Sequence, residues 1–207
     1  MVPRKQTHSP MTALPDIAFL DFEASSLGKY GYPIEVAWVL GDGEEESHLI
    51  RPAPGWGDWD IEAEAVHGIS RERLEEEGEP VEDVARRMLS VLSGRALYAT
   101  APSWDGKWLS RLLRGAGLPR HALRIQDTEA AHTLAMREEL QAAGIPEDFH
   151  ADIMQAILSA AQRRDSEIGP AVHRALADAR REQRLWRDIR RLARETAEER
   201  RQVLPDR

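Results

Sequence analysis

The chain has 207 residues, 42% of them hydrophobic, with 36 acidic against 28 basic side chains, a net charge of −8 and no cysteine. This length and apolar content suit one well-packed α/β or α+β domain. The missing cysteines exclude disulfides and thiolate metal sites, so any ion must be held by oxygen or imidazole. No apolar run approaches the roughly 18 residues of a membrane span, and a cysteine-free chain suits a reducing cytoplasm, the expected compartment. The acidic balance argues against a non-specific nucleic-acid coat, though not against an enzyme that grips a few nucleotides in one cleft.

Residues 1–14 read as a tail: they carry basic side chains with no apolar run behind them, which is not the pattern of a signal peptide. Met11 is a candidate alternative start. One domain is expected over residues 15–200, with 201–207 as a C-terminal tail. Strands are expected at IAFLDFEA (17–24), PIEVAWVLG (33–41) and ESHLIRP (46–52), with Gly41-Asp42-Gly43 turning between the last two. Breakers in APGWGDWDIEAEAVHGIS (53–70) give a loop with a short helix. Helical spacing in PVEDVARRMLSVLSG stops at Gly94. RALYATA (95–101) is a fourth strand, SWDGKWLSRLLRGAG a helix and ALRIQD a short fifth strand. Helices follow near 129–143 and 150–163. After Gly169-Pro170 a charged helix spans about 171–200, with Leu185, Trp186, Ile189 and Leu192 on a face that buries against this chain or a second copy. The fold class is α/β, a mixed five-stranded sheet flanked by helices.

Three places carry chemistry. Asp21 and Glu23 are two apart on a strand and point the same way; held together they need a proton or a cation between them. With 14 Asp and 22 Glu in the chain, such a triplet arises by chance about once or twice. Its position at the end of the most hydrophobic early strand is what distinguishes it. Asp105 falls in the first turn of a helix after a later strand, where the helix dipole alone favours an aspartate. His173 and Asp178 are five apart on the expected last helix, so they diverge by about 140° and are not stacked ligands of one ion.

In that order the residues resemble the DEDDh 3′–5′ exonucleases, the ribonuclease H-like group that includes proofreading subunits, RNase T and oligoribonuclease. Asp21-Phe22-Glu23, Asp105, and His173 with Asp178 match the three exonuclease motifs. PIEVAWVL looks like the family's second strand and AVHGIS like a segment before its next helix. The second motif departs from the common form, with Ala101 where many members have asparagine. The resemblance implies a metal-dependent 3′–5′ exonuclease with two ions, Mg²⁺ or Mn²⁺, held by Asp21, Glu23, Asp105 and Asp178. It implies His173 as general base. Ala24, Ser25, Ser26 and Leu27 would border a terminal nucleotide of single-stranded RNA or DNA, with Trp104 stacking on a base and His67 touching substrate or bracing its own turn. Trp56 and Trp59 read as packing; Asp127, His121, His132 and His150 as surface or capping groups; EEEGE (75–79) and the charged side chains of 187–201 as solvated faces. The competing readings are a non-catalytic nucleic-acid-binding or scaffold protein on the same fold, and a nuclease that cuts internally. A homodimer is compatible with the last helix.

Overall fold

The structure, a computed structural model, describes residues 16–169 and 172–203; the expected N-terminal tail and residues 204–207 lie outside them. Five strands, β1 (Ile17–Ala24), β2 (Pro33–Leu40), β3 (Glu45–Leu49), β4 (Ala96–Ala99) and β5 (Ile125–Asp127), form one sheet in the order β3-β2-β1-β4-β5. β1 pairs antiparallel with β2 and parallel with β4, so the sheet is mixed, with β1 at its centre. The helices are α1 (Ile61–His67), α2 (Arg71–Glu77), α3 (Val81–Leu92), α4 (Pro102–Gly115), α5 (Thr128–Ala142), α6 (His150–Ser166) and α7 (Ala175–Val203). The expected α/β class and strand count hold.

Alternation along β1 builds both layers. Ala18, Leu20 and Phe22 enter a core with Trp38, Met88, Trp108 and Leu112, where α3 and α4 cover the sheet. Ile17 and Phe19 face the other way, against Tyr98, Ala131, Ala135 and Trp186 of α5 and α7. Period two places Asp21 and Glu23 on this second face, beneath α7. In the lower half of α7, Ile189, Ala193 and Ala197 pack with Met136 and Leu140 of α5 and Ile153, Ile157 and Ala161 of α6. The apolar face of the last helix therefore buries against its own chain.

Three local expectations change. Residues 71–77 form a helix hidden by their charge, started by the Ser70 hydroxyl accepting from the Arg73 N–H at 3.2 Å and supported by Arg71–Glu75 and Arg73–Glu77 pairs. β3 ends at Leu49, short of the expected Pro52. α7 begins at Ala175 rather than near 171 and continues to Val203, beyond the expected boundary at 200. The late start has a tertiary cause: the carboxylate that caps it comes from Glu35 on β2, 140 residues from Ala175 in sequence.

Candidate active site

The site lies where β1 ends beside the start of α4 and the start of α7. The β1–β2 register shifts between Glu23 and Ala24, and the chain then folds into a tight loop. Ser25 accepts from the Tyr32 N–H at 3.0 Å through its hydroxyl. The Ser26 hydroxyl donates to Asp58 and accepts from the Gly28 N–H at 3.1 Å. A side chain at Gly31 would collide with the Ser26 carbonyl, so the loop closes only with glycine there. Both serine hydroxyls are thus turned inward and engaged, while Leu27 and Tyr30 are left outside, 66% and 63% exposed.

α7 closes over the strand pair by presenting small residues: Ala175 and Ala179 are fully buried, and Ala37 stands opposite Asp21 in the register. This close approach brings Asp178 down to the strand. One carboxylate oxygen each from Asp21, Glu23 and Asp178 lie within 4.8 Å of one another. Asp105, 3% exposed in the first turn of α4, completes the acidic wall, and its Oδ2 is buried with no hydrogen-bond partner among the described residues.

The electrostatics follow from that crowding. Burial, then the charges of Asp105, Glu23, Asp178 and Glu35, hold Asp21 well above the usual carboxylate range. Glu23 is pushed up to about 7 by burial, with Glu35 and Asp178 adding to it and Arg174 opposing. Asp105 is pushed up to about 7 by burial, while backbone N–H groups of Phe22, Ala101 and its own residue pull the other way. Crowded, half-buried carboxylates beside the bare oxygen of buried Asp105 match a divalent cation in donor type.

The remaining candidates divide. His173 does not share a helix with Asp178. It stands before α7, exposed, with the backbone at φ 53°, a left-handed conformation uncommon for a non-glycine residue. The expected 140° divergence along one helix therefore does not describe the pair. His67 is buried; the Ile69 N–H donates to its Nδ1 at 3.1 Å, bracing the turn as expected. The neutral ring's proton then sits on Nε2, which is buried without a partner among the described residues. Burial lowers its pKa. Trp104 is 42% exposed and Ala24 half-buried. Trp56 stacks on Tyr32 with centroids 5.2 Å apart, which is packing. Asp127 caps α5 as expected. His150 is buried, its Nε2 2.9 Å from the Ile145 carbonyl. His132 is neither surface nor cap: it is buried inside α5, and burial pushes it down to about 4.

Glu35 is the residue sequence reasoning missed. It is 2% exposed and faces Glu23 across the β1–β2 pair. Arg174 grips it with two bonds of 2.6 and 3.0 Å, and the Ala175 N–H at the start of α7 donates to it at 3.0 Å. One side chain thus caps α7 and anchors the residue next to His173. The available signal was a lone charge inside the otherwise apolar PIEVAWVL.

The chain has an exonuclease-like α/β fold of the ribonuclease H-like kind. It is similar to the zinc-bound form of an E. coli exonuclease I complex with single-stranded DNA, at a TM-score of 0.54 and 15% identity over 82% of this chain and 39% of that one. The metal-free form of that complex gives 0.48 and 16% over 59% and 30%. Exonuclease I with a dT13 oligonucleotide gives 0.48 and 17% over the same shares. The chain therefore spans 30–39% of the length of these exonuclease I chains. No protein-family model and no curated protein matches it.

Proposed function

We propose that the protein is a metal-dependent 3′–5′ exonuclease that hydrolyses the terminal phosphodiester bond of single-stranded RNA or DNA. One observation carries the reading: oxygens of Asp21, Glu23 and Asp178, from two elements far apart in sequence, converge within 4.8 Å of one another beside the bare carboxylate oxygen of buried Asp105. A solvated surface cluster would not leave such an atom buried.

In this reading Asp21, Glu23 and Asp178 would together hold divalent cations, with Asp105 assisting directly or through water. Cations bound there would stabilise the attacking and leaving oxygens of an in-line displacement. His173 accepts a proton from the attacking water as that oxygen joins phosphorus. The bond to the 3′-oxygen of the preceding nucleotide breaks, and that oxygen takes up a proton to become the new 3′-hydroxyl. The exposed position of His173 gives its ring freedom to reach the water, and Glu35, through Arg174, fixes the segment that carries it. Ala24, the loop backbone at Ser25 and Ser26, Leu27, His67 and Trp104 border the terminal nucleotide. The inward serine hydroxyls shape that floor without touching substrate.

The test is shortening of a fluorescent oligonucleotide with Mg²⁺ or Mn²⁺, stopped by chelator. Asp21→Ala loses both turnover and cation binding, whereas His173→Ala loses most turnover and keeps cation binding. Full activity in His173→Ala removes the assigned base.

A further inference from the structure

The chain contains only three lysines against 25 arginines. The two within the described residues are Lys29, on the loop after β1, and Lys107, on α4. The Lys107 ammonium donates to the Gly28 carbonyl at 2.8 Å, tying α4 to the loop after β1. It lies 4.8 Å from the Trp104 ring centre and 4.1 Å from that of Trp108. Lys29 lies 5.5 Å over the Tyr30 ring. One turn further along α4, the Arg111 guanidinium sits 5.4 Å over Trp56, and its Nε is buried with no hydrogen-bond partner among the described residues. Arg87, Arg174, Arg180 and Arg181 are each locked to a carboxylate; Lys29, Lys107 and Arg111 form no such ion pair among the described residues. Burial and Arg111 lower the pKa of Lys107, with Asp58 opposing.

On a chain of net charge −8, cations without carboxylate partners beside the exposed rings of Tyr30 and Trp104 suit a polyanion whose bases are unstacked. Phosphates answer the cations, and a flat base answers Tyr30. A duplex would offer its phosphates but keep its base faces stacked. From Trp104 to Arg111 the helix advances about 10 Å, close to three stacked nucleotides at about 3.4 Å each.

We infer that Lys29, Tyr30, Lys107 and Arg111 form a track for the nucleotides upstream of the scissile bond, so that the protein holds single strands of several nucleotides better than dinucleotides. This rests on the exonuclease reading and assigns it a length preference. The experiment pairs two measurements on the full chain. Fluorescence anisotropy with labelled (dT)12 in EDTA gives affinity against salt. Turnover with Mg²⁺ gives kcat/KM for (dT)12 relative to (dT)2. The variants are Lys107→Met, which keeps the aliphatic stem over the tryptophans, and Lys29→Ala/Tyr30→Ala on the exposed loop, each compared with wild type by thermal melting. Each lost phosphate contact lowers the log–log salt slope by about 0.7, and the (dT)12-to-(dT)2 ratio falls at least about fivefold, one stacked base being worth that or more. An unchanged slope together with an unchanged ratio, on folded variants, overturns the track while leaving the exonuclease reading intact. If wild type hydrolyses neither oligonucleotide yet (dT)12 binding retains its Lys107-dependent slope, the track stands and the hydrolytic reading fails.

Discussion

Replacing Asp105 by asparagine separates the electrostatic cost of the site from its use. Burial lifts Asp105 from 3.8 to about 7, and every tenfold change in proton affinity is worth about 1.4 kcal/mol, so ionising it in the folded state costs at most roughly 4 kcal/mol. Because the folded-state value is raised, the metal-free protein is favoured at low pH and loses that advantage as pH rises from about 4 through 7. The asparagine side chain carries no charge in either state and also relieves Asp21, which Asp105 pushes up. After allowing for weakened bonds to backbone N–H groups, Asp105→Asn in EDTA at pH 8 is expected to be about 1–3 kcal/mol more stable than wild type. For a domain of this size that is roughly 3–10 °C in Tm. The gain shrinks by about half or more at pH 5. Mg²⁺ or Mn²⁺ is expected to raise the Tm of wild type more than that of the variant, and the variant's turnover is expected to collapse. Thermal melts at the two pH values, with and without cation, read all of this. A variant less stable than wild type at pH 8, or a difference independent of pH, refutes the reasoning.

Glu35→Gln keeps an acceptor for the Ala175 N–H but weakens the hold on Arg174; turnover is expected to fall at least tenfold with cation binding retained, and wild-type turnover counts against a positioning role. Glu35→Ala leaves Arg174 unpaired and α7 uncapped; because Arg174 is partly exposed, the loss is about 1–3 kcal/mol by urea unfolding. His132, held down to about 4 by burial, binds a proton more readily when unfolded, so its contribution is fully present above about 6.5 and is lost as pH falls toward 4. His132→Leu flattens the stability profile in that window by roughly 3 kcal/mol, and an unaltered slope would contradict the buried neutral ring. Trp186→Ala removes a side chain 2% exposed that packs against Phe19 at 5.7 Å; about 3–5 kcal/mol of stability is expected to go with it, measured by denaturant midpoint.

The parts of the site written in local periodicity were readable from the sequence. Alternation put Asp21 and Glu23 on one face, and helical spacing put Asp105 in a first turn. Contributions from distant residues were not readable. Where α7 starts is decided by Glu35 on β2, so spacing alone set His173 on a helix that begins after it. Glu35 looked like one more strand residue because its partners, Arg174 and Ala175, lie about 140 positions away. Ser25 and Ser26 looked free to border a terminal nucleotide because nothing local reveals that their hydroxyls close the loop through Tyr32, Gly28 and Asp58. The helix at 71–77 was masked by charge that its Ser70 cap and paired side chains organise. His150 and His132 looked polar enough for the surface, yet each is enclosed once α5, α6 and α7 assemble.

The proposed activity is a cation-dependent hydrolysis that works from a 3′ end. Its most direct test follows a 5′-labelled single strand on a denaturing gel, beside a circular strand of similar composition. With Mg²⁺ or Mn²⁺ the linear strand should shorten by single nucleotides from its 3′ end and the circle should persist, with both chelator and Asp178→Asn abolishing the ladder. An uncut linear strand at every cation tried, or a circle opened as fast as the linear strand is shortened, contradicts it.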